Sequence, residues 1–369
     1  MITQDTSLSP GAKRQYVLPM NNPAVVLASE AQHMRSDDVV AGILVHGQAR
    51  AYPWWIISNY HVINDTMIAQ RPAATPEGCA DWNTLLQAKL EDEFVPVPIL
   101  IVICEACTGT SAFLPVTEGY DRPLSFTFCE RTAQTYSARG IYTISDMQTQ
   151  SRWHPLTGVA QEGLFTGKRM HRLPVHTYSW SDWVAEFPEG EVVLAGDEMR
   201  HRAHVENLPH PLDREAGHSD MLKALRDGDT GLDRRIPSGE LILGLSDGIN
   251  NIAISHTYLA LSGEVKNTTW QGTRVLLMRN GKFSAVAFRR DHEGQELLFQ
   301  SAPDRSGALL DQAGRYWSAF GTCLSDPSVP DLEIYQGSYS TKWGDWCFAH
   351  PASDIVTEYN ISDTKGELS

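Results

Sequence analysis

Internal repetition constrains this chain most, because a stretch that recurs at a fixed offset must adopt a local structure its counterpart can also adopt. Trp180-Ser181-Asp182-Trp183 followed by Pro188 returns as Trp343-Gly344-Asp345-Trp346 followed by Pro351, displaced throughout by 163 residues. Upstream, Asp146 with Arg152-Trp153 answers Asp311 with Tyr316-Trp317, and SAFLPVTEGYDRPLSF answers SAVAFRRDHEGQELLF. Earlier still, His61-Val62-Ile63-Asn64-Asp65-Thr66 answers Glu264-Val265-Lys266-Asn267-Thr268-Thr269. Matched blocks in one order predict two similar halves packed together.

Each half opens with a strand, a Gly-bearing turn and a second strand. These are Val39 to Val45, His46-Gly47-Gln48 and Ala49 to Tyr52 in the first half, and Glu240 to Leu245, Asp247-Gly248 and Asn251 to Ser255 in the second. Trp55, Asn59 and Val62 or Ile63 at helical spacing predict a short helix over Trp54 to Asn64. The run PVPILIVIC, a turn and the strand Ser111 to Pro115 form a hairpin whose bend carries CEACTGT. The expected class is α+β, strand-rich, with an internally duplicated module. Its divisions are an N-terminal extension (1–34), a first copy (35–194), a linker (195–235), a second copy (236–356) and a tail (357–369). Pro72 to Phe94 has no counterpart and reads as an inserted helix over the hairpin. His201, His204, His210 and His218 of the polar linker read as solvated side chains.

The balance of 30 Lys and Arg against 45 Asp and Glu leaves a net charge of −15. A field of that sign repels phosphate backbones and anionic lipid heads, so neither nucleic acid nor a membrane surface is an expected partner. The longest apolar run, Val95 to Cys104, is interrupted by Pro96 and Pro98 and falls well short of the roughly 20 residues a membrane-spanning helix needs. No apolar h-region follows Met1, and a cytoplasmic protein is expected. GxGxxG after a strand, GxxxxGK[ST] and HExxH are all missing, and the GxSxG match at Gly244-Leu245-Ser246-Asp247-Gly248 falls in a strand–turn–strand stretch and not at a strand-to-helix elbow, which removes the usual support for nucleotide binding, α/β-hydrolase chemistry and zincin proteolysis.

GILVHGQARAYPWWIISNYHVIND, ICEACTGTSAF, SDMQTQSRWHPLTG and SWSDWVAEFP together resemble the bacterial DUF3179 family, over roughly residues 35 to 355. That family's blocks are similar to G-x-x-x-x-G-x-A-x-A-Y-P, H-E-x-V-N-D, C-P-x-C-x-S-A and Y-D-R-x-T-x-S-x-W. Two positions depart from it: Val62 stands where the family has an acidic residue, and Glu105 where it has proline. The resemblance implies a fold pattern and a site position, and it carries no reaction.

Chemistry is sought first at Cys104 and Cys107, the closest pair among six cysteines. A CxxC at a hairpin bend turns both sulfurs to one side, as tetrahedral zinc or a thiophilic copper site requires. His61 is the nearby third donor, giving a Cys2His metal set with one position open. Asp65 is a candidate to orient that imidazole, and His154 an accessory acid or fourth ligand. Cys129 is a further candidate thiolate, whereas Asp146, Arg152, Trp153, Trp180 and Trp183 read as architectural. Counting back from Phe113 and Phe288 sets Arg279 and Lys282 against Cys104 and Cys107, with Glu264 against His61, and so predicts one active copy and one scaffold copy. The expected function is a mononuclear copper or zinc enzyme acting on a small molecule, oxidatively if the metal is copper. The alternatives are a metal-binding or sensing protein without turnover, and a thiol oxidoreductase using the CxxC dithiol.

Overall fold

The computed structural model describes residues 18–71, 91–104, 109–129, 143–195, 233–281, 283–305, 307–358 and 367–368. Naming only the elements that build the larger sheets, the first half runs β1 (Val39–Val45), β2 (Gln48–Pro53), α1 (Trp54–Tyr60), β3 (Val62–Gln70), β4 (Phe94–Cys104), β5 (Gly109–Leu114), β6 (His171–Leu173), β7 (His176–Ser179), α2 (Trp180–Glu186) and β8 (Glu191–Val193). The second runs β9 (Leu241–Ser246), β10 (Asn251–Ser255), α3 (His256–Leu261), β11 (Val265–Trp270), β12 (Thr273–Asn280), β13 (Ser284–Arg289), β14 (Ser338–Lys342), α4 (Trp343–Ala349) and β15 (Asp354–Val356).

This corrects the expected α+β class. The described residues form seven mostly small sheets, with 45% strand against 11% helix, and their four α-helices are six or seven residues long. Helices that short do not form a layer of their own, so the protein is predominantly β. Among the described residues, no helix is long and apolar enough to cross a membrane. What recurs between the halves is strand order and individual contacts. One sheet is ordered β7-β1-β2-β8 with Val25–Leu27 at its edge, and a second β14-β9-β10-β15. Likewise β3-β4-β5 continues to β6 and Met20–Asn21, and β11-β12-β13 to Glu367–Leu368.

The expected helix over Trp54 to Asn64 ends at Tyr60, because His61 takes a left-handed conformation (φ 58°, ψ −27°). Beyond it the pattern changes to period two: Ile63, Asp65, Met67 and Ala69 are buried while Thr66, Ile68 and Gln70 are exposed. Alternation and β-branching make this stretch a strand. It pairs antiparallel with β4 from Val62↔Val102 to Gln70↔Phe94. Pro96 and Pro98 fit inside β4 because β5 pairs only with Leu100–Cys104, leaving the proline stretch with a single neighbour. The inserted helix expected at Pro72 to Phe94 falls mostly outside the described residues, and its last residue, Phe94, begins β4. The linker histidines also fall outside them.

Ile63, Met67 and Ala69 meet Ala41, Ile43, Tyr52 and the inward residues of β4 in one core. On the opposite face, Val62, Leu100, Val102 and Phe113 pack against Phe126, Phe128 and Trp153 of a small four-stranded sheet and against Phe165 in the turn that follows it. A further core joins the halves, setting Val40, Ala51 and Trp183 against Leu276, Phe288 and Trp317. The two WxDW motifs hold helices α2 and α4 onto sheets in the same way. Trp183 lies over Gly42 and Trp346 over Gly244, and a Cβ at either glycine would run into the indole ring. Gly42→Ala is therefore expected to cost about 3 kcal/mol in urea unfolding, as overpacking of a rigid site does.

Candidate functional site

The hairpin expected to carry the thiols is formed. β4 and β5 are antiparallel with Cys104 opposite Gly109, so the bend spans residues 105–108. Cys107 and that bend lie outside the described residues, and of Cys104 the backbone alone is described. His61 stands at its mouth. The His61 carbonyl accepts the Ile103 N–H at 3.0 Å, and its own N–H reaches the Ile57 carbonyl at 2.8 Å. The residue is 8% exposed, with Nδ1 3.4 Å from the Ile103 carbonyl and the ring centroid 5.3 Å from that of Phe128. His61 is thus not on the helix, as the periodicity predicts, but is its left-handed cap, secured one residue before Cys104. Cys129, a free thiol of intermediate exposure, follows directly after Phe128.

Asp65 faces away from this point. It shares the inward face of Ile63 and Met67, whereas the His61 ring packs on Phe128 across β3. The Asp65 Oδ2 accepts from Arg50 Nη1 at 2.7 Å and from the Tyr52 hydroxyl at 2.7 Å, and its Oδ1 accepts the Thr66 N–H at 2.7 Å. Arg50 also donates to Glu191 through Nε at 2.9 Å and Nη2 at 2.6 Å. Burial opposes the Arg50 charge, but Tyr52, Asp65 and Glu191 outweigh it and hold the guanidinium above its ordinary range. Burial, reinforced by the Asp65 charge, likewise pushes the Tyr52 phenol well up. Asp65 therefore works with Arg50 and Tyr52 and does not orient His61. The signal for this network was a charged residue and a tyrosine at i and i+2 inside an otherwise apolar strand, which puts both on one face.

His154 anchors a turn. Its Nδ1 accepts the N–H groups of Leu156 at 3.2 Å and Thr157 at 3.1 Å. Ser318 does the same in the second half, where its Oγ accepts from Phe320 at 3.2 Å and Thr322 at 3.1 Å. Burial, with His350, Arg172 and Arg169 nearby, lowers the His154 pKa to about 3. A ring neutral at pH 7 whose Nδ1 lone pair is already committed is a poor general acid. Other repeated contacts are structural. The Trp153 indole donates to Asp146 at 2.9 Å as Trp317 donates to Asp311 at 3.0 Å. Asn64 bridges the backbone of Phe126, and Asn267 that of Phe299.

Strand registers also revise the comparison of the two bends. Leu100 is opposite Phe113 and Leu276 opposite Phe288; four steps on, Cys104 meets Gly109 and Asn280 meets Ser284. The second bend is one residue shorter, so a count from the phenylalanines slips. Asn280 matches Cys104, and Arg279 matches Ile103. Glu264 keeps the left-handed conformation of His61, φ 69° against 58°. Its carboxylate takes Arg279 Nη1 at 2.6 Å. Lys282 lies outside the described residues.

A cavity of about 470 Å³ lies where the halves meet, lined by Thr157 and Arg169 from one and Asn251, Gln336, Tyr339 and His350 from the other. The Tyr339 hydroxyl and His350 Nε2 are 3.0 Å apart at its wall. Its volume is in the range of small-molecule sites.

A search of curated proteins and one of solved structures each find no match to the chain. A family pattern does match, over residues 138–338; that span contains Asp146, Trp153 and His154 and begins after His61, Cys104 and Cys107. Because it covers more than half of the chain, the protein belongs to the family described as a protein of unknown function, DUF3179.

Proposed function

We propose that this protein binds one thiophilic metal ion, copper or zinc, through Cys104, Cys107 and His61, and uses it on a small molecule. The observation that carries the reading is the backbone bond from Ile103 to His61, which secures an imidazole-bearing residue at the mouth of the hairpin whose sequence bears both cysteines. Two thiolates and an imidazole suit a soft or borderline cation and leave one position for a small ligand. Among the described residues no three His, Cys, Asp or Glu side chains gather as a ligand set, so the reading stands on this bend. When bound, the ion would act as a Lewis acid if zinc, or support oxidative chemistry if copper. The chain's own part is positional: the left-handed cap limits the approach of His61, and Phe128 covers one side of its ring. Reduced thiols of this kind fit a cytoplasmic setting.

Elemental analysis of untagged protein tests the reading, with one ion per chain expected. Cys104→Ser and Cys107→Ser should each abolish retention while leaving the far-UV spectrum and unfolding midpoint nearly unchanged. His61→Asn removes the imidazole but keeps a residue that tolerates positive φ, and should lower affinity without unfolding the chain. Full metal content in both serine variants, or no uptake by the wild type, would overturn the assignment. Metal retained without any turnover would leave a binding protein, and a reversible dithiol with no metal would leave a thiol oxidoreductase.

A further inference from the structure

Three of the described arginines are nearly inaccessible: Arg50 at 5% exposure, Arg290 at 4% and Arg172 at 3%. Two of them meet carboxylates, Arg50 at Asp65 and Arg290 at Glu296, each at 2.7 Å. Arg172 meets none. Its Nη1 donates to the Ser111 hydroxyl at 3.2 Å, its Nη2 to the Leu156 carbonyl, and its guanidinium lies 4.9 Å from the centre of the Phe113 ring. Every one of those partners is neutral. The Nε–H has no acceptor at all. Burial, with the like charge of Arg169 second, lowers the Arg172 pKa to about 9, while Tyr339 opposes the shift. A buried cation without a counter-ion is among the costliest arrangements a protein interior can hold.

A second unpaired donor lies beside it. The Thr110 hydroxyl is buried and has no partner, and Thr110 and Arg172 line the same small space of about 40 Å³ between the halves. The hydroxyls of Ser338 and Ser340 also line this space, but they donate elsewhere, to the Tyr335 carbonyl at 2.7 Å and the Ala285 carbonyl at 2.9 Å. Ser284 is committed too: His176 Nε2–H must donate to the Ala319 carbonyl at 2.8 Å, so His176 Nδ1 accepts the Ser284 proton at 2.8 Å. Of the other hydroxyls lining it, that of Tyr339 meets His350 Nε2 at 3.0 Å and Thr177 is only half-buried, so the Arg172 Nε–H and the Thr110 hydroxyl are the buried side-chain donors here without a partner.

We infer that this space is a binding site for one compact monovalent inorganic anion of halide size, held by Arg172 Nε and the Thr110 hydroxyl. Since one water needs roughly 10–15 Å³ of such space, about 40 Å³ seats one chloride or bromide and is too small to take in a whole organic acid or phosphate ester. A water molecule would satisfy both donors but leave the Arg172 charge unbalanced, whereas an anion does both. The inference is independent of the metal reading, because neither donor belongs to that ligand set.

The test uses the full chain and sodium chloride as the probe, with sodium gluconate at equal ionic strength as the excluded control. Expected is a rise in unfolding temperature that saturates with chloride and with bromide and is missing in gluconate. Thr110→Val, nearly isosteric, should raise the half-saturating chloride concentration about tenfold, the usual effect of losing one hydrogen bond to a charged group. Arg172→Gln should remove the saturable response. If Arg172→Gln does not fold, Thr110→Val decides alone. No difference between chloride and gluconate in the wild type would show that water fills the cavity and overturn the inference. A chloride response unchanged by Thr110→Val would place the ion elsewhere and overturn it equally.

Discussion

Replacing Asp65 with alanine is expected to lower the unfolding free energy by about 3–5 kcal/mol, the usual result of removing one partner of a buried ion pair. Arg50 and Asp65 have side chains only 6% and 2% exposed, so neither charge can turn to water once the other is gone. Glu191 would remain as the counter-ion of Arg50, but its side chain is 24% exposed and water weakens that contact. The buried Tyr52 hydroxyl would lose its acceptor in the same step. Asp65→Asn should cost less, because the amide oxygen can still accept from one of the two donors. Urea unfolding of both variants checks the order. A loss below about 1 kcal/mol for alanine would mean that Glu191 alone neutralises Arg50. Metal content measured on folded Asp65→Asn adds a readout that a structural role would leave alone: it should equal that of the wild type, because Asp65 faces the core opposite the His61 ring.

Acidification from pH 6.5 to pH 4 is the other large effect. His176 is fully buried where the halves meet, its ring held between Ser284 and the Ala319 carbonyl and packed edge-on against Phe320 at 4.8 Å. Burial lowers its pKa to about 4, although the bond to Ala319 opposes the shift, and burial together with nearby cations lowers that of His154 to about 3. Both rings are neutral when folded, but unfolded histidine takes up its proton near pH 6.5. Below that pH the unfolded state binds more protons, so stability falls as pH falls and levels off only beneath the folded pKa values. Each pH unit between the two values costs about 1.4 kcal/mol per ring, so His176 alone should contribute on the order of 3 kcal/mol by pH 4. Unfolding free energies measured across this range should decline steeply in the wild type. In His176→Gln, whose amide can both donate and accept here, the slope should be shallower. An unchanged slope would show that acid stability is governed by other groups.

The sequence by itself determined the elements and their anchors, because these depend on short-range pattern. The strand pair Val39–Val45 and Gln48–Pro53 with its glycine turn, and the hairpin closing on Cys104 and Gly109, were legible, since strand patterning and turn chemistry act within a few residues. The paired indole–carboxylate contacts of Trp153 with Asp146 and Trp317 with Asp311 lie within the matched blocks that revealed them. The class was not legible: the same aromatic-rich stretch satisfies helix and strand periods until His61 turns left-handed, and only the β4 partner decided that Val62 onward is extended. Nor could the roles of individual polar residues be read along the chain. Asp65 was assigned to His61 by proximity in sequence, yet a residue on a strand alternates faces, and the fold gave it to Arg50 and Tyr52. His154 became a turn anchor through amides that follow it closely, and the burial that lowers its pKa comes from packing. Arg172 carried no signal at all. Its isolation is a property of what surrounds it, and charge balance in an interior is settled by which side chains three-dimensional packing brings within reach, not by their order in the chain.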